Sequence, residues 1–187
     1  ILRQYQEEDF RLDYEYRRFY SAYDQIEDTA GFEPLRDLVG NIYTNEYLET
    51  LLPKWNAAIQ EPDAWMALPL QRDFYARNLK NAKERTVVII SDALRYEVGK
   101  DLFRRMQDEP KCTAKLEVQL SVLPSYTRLG MAALLPHAEL TMTDDFKVLI
   151  DGMPCDNLAE REAVLQKYNP DSVCVQFDSI KSLKVAE

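Results

Sequence analysis

The sequence predicts an α/β fold in which a helical N-terminal region, residues 1–82, precedes a mostly parallel sheet flanked by helices, residues 83–187. Three observations support this prediction. Apolar residues recur at helical spacing in the first region, and a β-branched apolar run opens the second. Strand-like and helix-like segments then alternate to the end of the chain, as in layered α/β proteins.

Helical spacing dominates the N-terminal region. Leu12, Tyr16 and Phe19 lie three and four positions apart, and a second series of apolar residues runs from Leu35 to Ile59. Such spacing puts apolar side chains on one face of a helix. We therefore expect an antiparallel helical bundle that buries these faces as its own core, with a docking face for another subunit as the alternative.

Strand and helix patterns alternate in the C-terminal region. The run TVVII, residues 86–90, is short, β-branched and continuously apolar, which is typical of a parallel strand buried on both faces. Helices are predicted from Tyr96 to Met106, from Thr127 to Leu135 and over NLAEREAVLQKY. Further strands are predicted over AKLEVQLSVL, FKVLI and SVCVQF.

Composition limits the classes of function. With 46% apolar and 29% charged residues, the chain reads as a soluble globular protein, and no apolar run approaches the roughly 18 residues of a membrane span. The net charge of −9 opposes binding dominated by nucleic-acid phosphates. Cys112, Cys155 and Cys174 are too scattered for a disulfide framework or a Cys-rich metal site, which fits a cytoplasmic location. The missing initiator Met and the terminal SLKVAE indicate a piece of a longer protein.

Two side chains follow predicted strands, where ligands bind in open parallel sheets. Asp92 follows the TVVII strand, and Thr127 follows the next strand and opens a helix. A carboxylate suits a divalent cation, and a metal that contacts a Thr hydroxyl would lower the pKa of that hydroxyl. The N–H groups at the start of a helix favour phosphate. The pattern therefore indicates phosphoryl or sulfuryl transfer.

These residues also have ordinary structural interpretations. Asp92 and Thr127 are both of residue types that commonly cap helices. Four other polar residues at strand or helix ends are expected to be surface or turn residues, although a strand-end Asp or an Arg could also face the site: Arg95, His137, Asp151 and Asp178.

Two other sheet folds agree less well with the sequence. A dinucleotide-binding fold requires G-x-G-x-x-G after its first strand, and no such motif follows residues 86–91. A receiver-type signalling module requires an acidic pair after the first strand and a Lys after the last one. The segment SDALRYE offers a single Asp at the strand end, so this module ranks low.

The segments VVIISDALRYE and LSVLPSYTRLGMAALLPH resemble the PglZ family, phosphatases of BREX-type phage-defence systems. QRDFY and EYLETLLPKW also look like the region that leads into the PglZ domain, so the resemblance spans most of the chain. PglZ domains are similar to the alkaline-phosphatase superfamily. The resemblance thus implies that residues 83–187 form the N-terminal half of an alkaline-phosphatase-like domain, truncated in this chain.

The resemblance implies a metal-dependent phosphatase or phosphodiesterase. It assigns the role of nucleophile to Thr127 and metal ligation to Asp92 and Thr127. The full-length protein would hold two divalent ions, Zn²⁺ or alternatively Mn²⁺ or Mg²⁺. The superfamily draws its remaining Asp and His ligands from the second half of the domain. We therefore expect this chain alone to be inactive and to lose its metals.

The resemblance also implies partners. These are other BREX defence proteins and a phosphate-ester substrate, without a membrane or direct nucleic-acid contact. A sheet cut in its middle exposes an apolar edge, so self-association of the chain is expected. The alternative function, from a different class, is a noncatalytic scaffold or interaction module of a defence complex.

Overall fold

The computed structural model describes residues 1–61 and 68–180, so the SLKVAE segment lies outside the described residues. The chain divides into two compact units. The first comprises Ile1–Leu68 and Ala93–Val118, and the second comprises Pro69–Asp92 and Gln119–Glu187. Both Asp92 and Thr127 belong to the second unit.

Helices build the first unit. Two of them are interrupted by π-helical stretches, in which each turn holds an extra residue. In chain order the helical segments are Leu2–Gln4, the π-helical Tyr5–Asp9, Phe10–Tyr23, Glu33–Asn41, the π-helical Ile42–Leu48, Glu49–Gln60 and Tyr96–Gln107. The last of these has Glu97 in its first turn and two arginines in its last, a charge order that the helix dipole favours.

The interior of the first unit is rich in tyrosine. The rings of Tyr16 and Tyr43 stack with their centroids 3.7 Å apart. The hydroxyls of Tyr5 and Tyr43 both donate to the Asp13 carboxylate, the second at 2.6 Å. Burial, followed by the hydrogen bond to Asp13, raises the pKa of both phenols, which therefore remain neutral donors. Polar and aromatic contacts thus stabilise this unit alongside aliphatic packing.

A buried ion pair links two helices of the first unit. Glu97 is only 1% exposed, and its Oε1 accepts a hydrogen bond of 2.6 Å from Nε of Arg17. Nearby, the Tyr14 hydroxyl donates to Asp101 at 3.1 Å. These contacts tie helix Phe10–Tyr23 to helix Tyr96–Gln107. The apolar stripe predicted from Leu12 is less buried than expected, since Leu12 itself is 51% exposed.

The second unit combines short helices with a small sheet. Its helical segments are the 3₁₀ turn Gln71–Asp73 and the helices Phe74–Asn78, Thr127–Ala133, Leu158–Tyr168 and Phe177–Ile180. Its strands are β1 (Leu140–Met142), β2 (Val148–Ile150) and β3 (Met153–Pro154). Both strand pairs are antiparallel, and the strand order is β1-β2-β3. Asp151 (φ 49°) and Gly152 (φ 76°) form the tight turn between β2 and β3.

The core of the second unit lies between β2 and the Thr127 helix, the name used below for Thr127–Ala133. Val148 and Ile150 point to one face of the sheet, as alternate strand residues must, and both are fully buried. They form a cluster with Leu129, Ala132, Leu135, Cys155 and Val164. This packing fixes one side of the Thr127 helix.

The predicted mostly parallel sheet is not supported. Residues 86–90 form no strand, and Val87 and Ile89 are 76% and 84% exposed. The segments AKLEVQLSVL and SVCVQF form no strands either, and FKVLI supplies the central strand of an antiparallel sheet. Within residues 1–61 and 68–180 the parallel pairing is an isolated bridge between Leu70 and Leu120. A strand requires a neighbour to receive its hydrogen bonds, whatever its own composition.

The helix predictions of the second region are confirmed within one or two residues. The three helices begin at Tyr96, Thr127 and Leu158, at or next to the first residue of each predicted helix. An α/β class is confirmed in this coarser form, as helices with a small antiparallel sheet. The proposed division at residues 82 and 83 stays a prediction. No helix within the described parts of the chain has the length and apolar content needed to cross a bilayer.

Candidate functional site

Asp92 lies in an exposed turn ahead of helix Tyr96–Gln107. The next residue, Ala93, has φ of 53°, in the left-handed region that a residue with a Cβ rarely adopts. Strained backbone of this kind is concentrated at functional sites. Arg95 follows in an extended conformation and is exposed, as the sequence suggested.

Thr127 is the first residue of its helix, and its side chain is exposed. The opposite side of this helix is buried, with Leu129 at 8% exposure and Ala132 at 0%. Tyr126, just before Thr127, is half-buried and packs against the same core. The side chain of Thr127 is therefore exposed to solvent, while the opposite side of its helix packs against the core.

Arg128 directly follows Thr127 in the chain and adds a cation to the same helix turn, a feature that the sequence reading missed. Its guanidinium is 3.7 Å from Oδ2 of Asp156, and its side chain is 52% exposed. Oδ1 of Asp156 is buried and has no hydrogen-bond partner among the described residues. Adjacency to Thr127 was the available signal, because a cation next to a nucleophile suits an anionic substrate.

Gln71 is the second residue that the sequence reading missed. Its side-chain carbonyl accepts a 3.1 Å hydrogen bond from the N–H of Val122, and its amide group donates at 3.1 Å to the carbonyl of Gly130. Val122 precedes Thr127 in the chain and Gly130 follows it. Nothing in the local sequence around Gln71 signals these two distant contacts.

The remaining polar candidates have structural partners. Asp151 accepts from the backbone N–H groups of Ala138 and Glu139, at 3.0 and 2.7 Å, and from the Tyr168 hydroxyl. The hydrogen bond from Glu139 is the main cause that lowers the pKa of Asp151, and the bonds from Ala138 and Tyr168 act in the same direction. Asp151 is thus a turn residue, as expected.

His137 and Asp178 were expected at a surface and in a turn. His137 is half-buried, and its Nδ1 lies 2.7 Å from the carbonyl of Leu135. Since a carbonyl only accepts, this nitrogen carries the proton. Asp178 falls within helix Phe177–Ile180 rather than in a turn.

The cysteines behave as ordinary packed thiols. Cys155 is fully buried, Cys112 and Cys174 are half-buried, and all three are free. Burial raises the pKa of both Cys155 and Cys174, so their sulfurs stay protonated near neutral pH. Neither thiol suits metal ligation in this state.

The described residues do not build a complete metal centre. Within residues 1–61 and 68–180, no group of three or more His, Cys, Asp or Glu side chains could hold a metal ion. Asp92 and Thr127 offer oxygen donors of the kind that hard cations prefer. Two such donors are too few for a two-metal site, which needs several protein ligands around ions roughly 4 Å apart.

Comparison with known proteins gives consistent matches. The family model described as the BREX system PglZ alkaline phosphatase-like domain matches residues 73–187. The chain is 38% identical over 190 residues to the alkaline phosphatase-like protein PglZ of Bacillus cereus (strain H3081.97), covering 98% of the chain and 22% of that protein. It is 37% identical over 179 residues to the alkaline phosphatase-like protein BrxZ of Escherichia coli O9:H4 (strain HS), covering 88% and 21%.

The chain therefore spans about a fifth of the length of these curated relatives. No solved structure matches it.

Proposed function

Because this chain belongs to the PglZ family of BREX alkaline phosphatase-like domains, we propose that it contributes the nucleophile and one metal ligand to a phosphoric-ester hydrolase. The observation that carries this proposal is the setting of Thr127. Its hydroxyl is exposed at the first position of a helix whose other side is fixed in the core. A nucleophile must reach the substrate while its backbone stays still.

The proposed reaction has two steps. In the first, Oγ1 of Thr127 loses its proton and forms a bond to phosphorus, while the bond from phosphorus to the leaving oxygen breaks. The product is a phosphothreonine and an alcohol, which takes up a proton. In the second step a water molecule loses a proton and bonds to phosphorus, the bond to Oγ1 breaks, and Oγ1 takes up a proton to regenerate the Thr127 hydroxyl. Inorganic phosphate then leaves when the substrate is a monoester. Covalent catalysis of this kind divides one difficult displacement into two easier ones.

Arg128 is proposed to bind the phosphoryl oxygens. Its guanidinium is half-exposed and contacts Asp156 only at 3.7 Å. The Arg128 end of this contact is solvated while the Asp156 side chain is 28% exposed, and a partly solvated pair of this length contributes about 1 kcal/mol. A guanidinium can then form two parallel hydrogen bonds with a phosphoryl group. Arg128 is a further candidate besides Arg95 for orienting the substrate.

A divalent metal requirement is part of the proposal. A metal ion would supply Lewis acidity, which lowers the pKa of a hydroxyl and offsets the charge that develops on oxygen. Asp92 and Thr127 are the proposed donors from this chain. Since the described residues gather no complete ligand set, we propose that the other ligands come from outside them, and that the isolated chain is inactive. Zn²⁺ is the first choice of ion, followed by Mn²⁺ and Mg²⁺.

The cellular setting is proposed from the family. The relatives carry the names PglZ and BrxZ, and the family is that of BREX systems. We propose that the protein acts in the cytoplasm together with other BREX proteins, in phage defence. Its substrate is proposed to be a phosphoric monoester or diester.

Self-association of the isolated chain is proposed from its exposed aliphatic residues. Ile89, Val87 and Val173 are 84%, 76% and 73% exposed, and β-branched runs of this kind readily pair with another chain. Light scattering over a concentration series should show species larger than a monomer, reduced by Ile89→Lys and retained in Thr86→Lys. A monomer at every concentration would contradict the proposal.

The catalytic proposal is tested in the complete polypeptide that carries this sequence. Hydrolysis of p-nitrophenyl phosphate and bis(p-nitrophenyl) phosphate would be measured with added Zn²⁺, Mn²⁺ or Mg²⁺. We expect metal-dependent activity that Thr127→Val and Asp92→Ala abolish and Thr127→Ser retains. The controls Ser125→Ala and Asp144→Ala change an exposed hydroxyl close to Thr127 in sequence and an exposed carboxylate of the same unit, and should leave activity intact. Activity that is absent, or unchanged in Thr127→Val, would favour the scaffold function.

A further inference from the structure

We propose that Gln71 is a positioning residue for Thr127, an inference that rests on the proposed function of Thr127 as nucleophile. Gln71 opens the 3₁₀ turn Gln71–Asp73. Its side-chain amide is half-buried and bonds to backbone on both sides of Thr127 in the chain. All the residues involved lie in the second unit.

The backbone around Gln71 brings its side chain to the loop before Thr127. Leu70 and Leu120 form a parallel bridge. In it the N–H of Gln71 donates to the carbonyl of Leu120 at 2.8 Å, and the N–H of Leu120 donates to Pro69 at 2.9 Å. The Gln71 side chain then receives the N–H of Val122 at 3.1 Å. The amide thus continues the bridge by one further hydrogen bond toward Thr127.

The other half of the amide satisfies a carbonyl at the end of the Thr127 helix. The last four carbonyls of a helix have no partner within it. The N–H of Leu134 bonds to Met131 at 3.3 Å, rather than to the carbonyl of Gly130 four residues earlier. The Gln71 amide donates to this Gly130 carbonyl at 3.1 Å.

A single side chain therefore connects the loop that leads into Thr127 with the helix that Thr127 opens. A primary amide of this length offers both an acceptor and a donor at any pH near neutral. A methionine would fill the space without either hydrogen bond, and an ionised glutamate would keep the acceptor and lose the donor. Loss of the connection should let the start of the helix shift, and with it Thr127 and the adjacent Arg128.

The expected consequence is a larger loss of rate than of substrate binding. Gln71 is not proposed to touch the substrate and affects binding only through Arg128, so kcat should fall by a larger factor than KM rises. A displacement of about 1 Å at a nucleophile lowers the rate by up to a hundredfold. We expect Gln71→Met to lower kcat on p-nitrophenyl phosphate by about tenfold to a hundredfold.

Gln71→Glu gives a second readout that simple destabilisation would not produce. Protonated glutamic acid carries one O–H donor and one carbonyl acceptor, so it can remake both bonds. Its kcat relative to wild type should therefore rise as the pH falls through the pKa of the new carboxyl. The charged groups on the elements that meet here are Arg72 and Asp73 on the turn and Arg128 on the Thr127 helix. Wild type and Gln71→Met contain the same three charged residues, so both proteins control for any effect of pH on those residues.

The experiment compares these variants in the complete polypeptide, with Gln166→Met as the matched control. Gln166 lies in the same unit and its amide likewise donates to a backbone carbonyl, that of Ser172 at 3.0 Å. We expect kcat to fall in Gln71→Met, to recover at low pH in Gln71→Glu, and to stay at the wild-type value in Gln166→Met. Circular dichroism is used to check that each sample is folded. If Gln71→Met does not fold, the pH dependence of kcat in Gln71→Glu still tests the proposal, because low and high pH are compared in the same protein sample.

The outcomes separate this inference from the proposed function. If Thr127→Val is inactive while Gln71→Met has wild-type kcat, the role of Gln71 is overturned and that of Thr127 stands. An equal pH profile in Gln71→Glu and wild type would also overturn it. If Thr127→Val stays active, the nucleophile is wrong and the role of Gln71 falls with it.

Discussion

Removing Arg17 should destabilise the first unit far more than removing its exposed neighbour. Glu97 is 1% exposed and relies on Nε of Arg17 at 2.6 Å. Arg17→Met leaves this carboxylate buried without its cation, and breaking a buried pair in this way costs roughly 3–5 kcal/mol. Because the Arg17 side chain is itself 37% exposed, water offsets part of the loss. We expect about 3 kcal/mol.

The partner substitutions give a graded series. Glu97→Gln keeps an acceptor for Arg17 and removes the charge, so the cost should be about 1–2 kcal/mol. The double variant Arg17→Met with Glu97→Met removes both charges and should be more stable than Arg17→Met alone. Arg18→Met is the matched control, because Arg18 is 62% exposed and its pair with Glu15 spans 3.4 Å. Its effect should stay below about 1 kcal/mol.

The measurement is urea unfolding followed by tryptophan fluorescence. The chain has two tryptophans, so a Trp65→Phe background leaves the signal to Trp55. The Trp55 ring lies 5.8 Å from that of Tyr5 within the first unit. A probe specific to one unit is needed because two units can unfold separately. If Arg17→Met is as stable as the double variant, or matches Arg18→Met, the buried ion pair does not stabilise the unit.

Three further predictions concern the second unit and the Asp92 turn. Asn157→Ala should lower the free energy of unfolding by about 1 kcal/mol, since Asn157 and Glu160 form a reciprocal cap on helix Leu158–Tyr168; calorimetry of wild type and variant at matched pH tests this. The lowered pKa of Asp151 contributes stability above the unfolded pKa of about 3.9, and that contribution should be lost as the pH falls from there through the folded pKa. Asp151→Asn should flatten this acid dependence in urea titrations, and an unchanged dependence would contradict the role of these hydrogen bonds. Ala93→Gly should leave stability unchanged or raise it by up to about 1 kcal/mol, because it relieves the positive φ, and a clear loss would mean that the turn is not strained.

Local sequence signals predicted the helices well. The Thr127 helix and helix Leu158–Tyr168 begin where their patterns begin. Apolar spacing acts within a few residues in both, and the second helix also has the Asn157 cap. Strands could not be predicted in the same way. The TVVII segment has ideal strand composition, and yet Ile89 is 84% exposed. A strand needs a partner from elsewhere in the chain, and composition does not report whether one is present.

Sequence patterns also could not predict the polar contacts around the candidate site and within the first unit. Asp92 and Thr127 were identified by position and resemblance, and their roles stay predictions. Gln71 acts on Val122 and Gly130, both distant in sequence. Glu97 looks like a surface residue on an amphipathic helix, yet it is buried through its contact with Arg17. Long-range pairing of polar groups leaves no period in the sequence.

The most direct test of the central claim is to trap the covalent intermediate on Thr127. The complete polypeptide, with a divalent metal present, would be mixed with p-nitrophenyl phosphate, quenched in acid and digested for mass spectrometry. Our account predicts one phosphoryl group on the hydroxyl of Thr127, and none in Thr127→Val. Turnover with an unmodified Thr127 peptide, or a phosphoryl group on Ser125 instead, would contradict it.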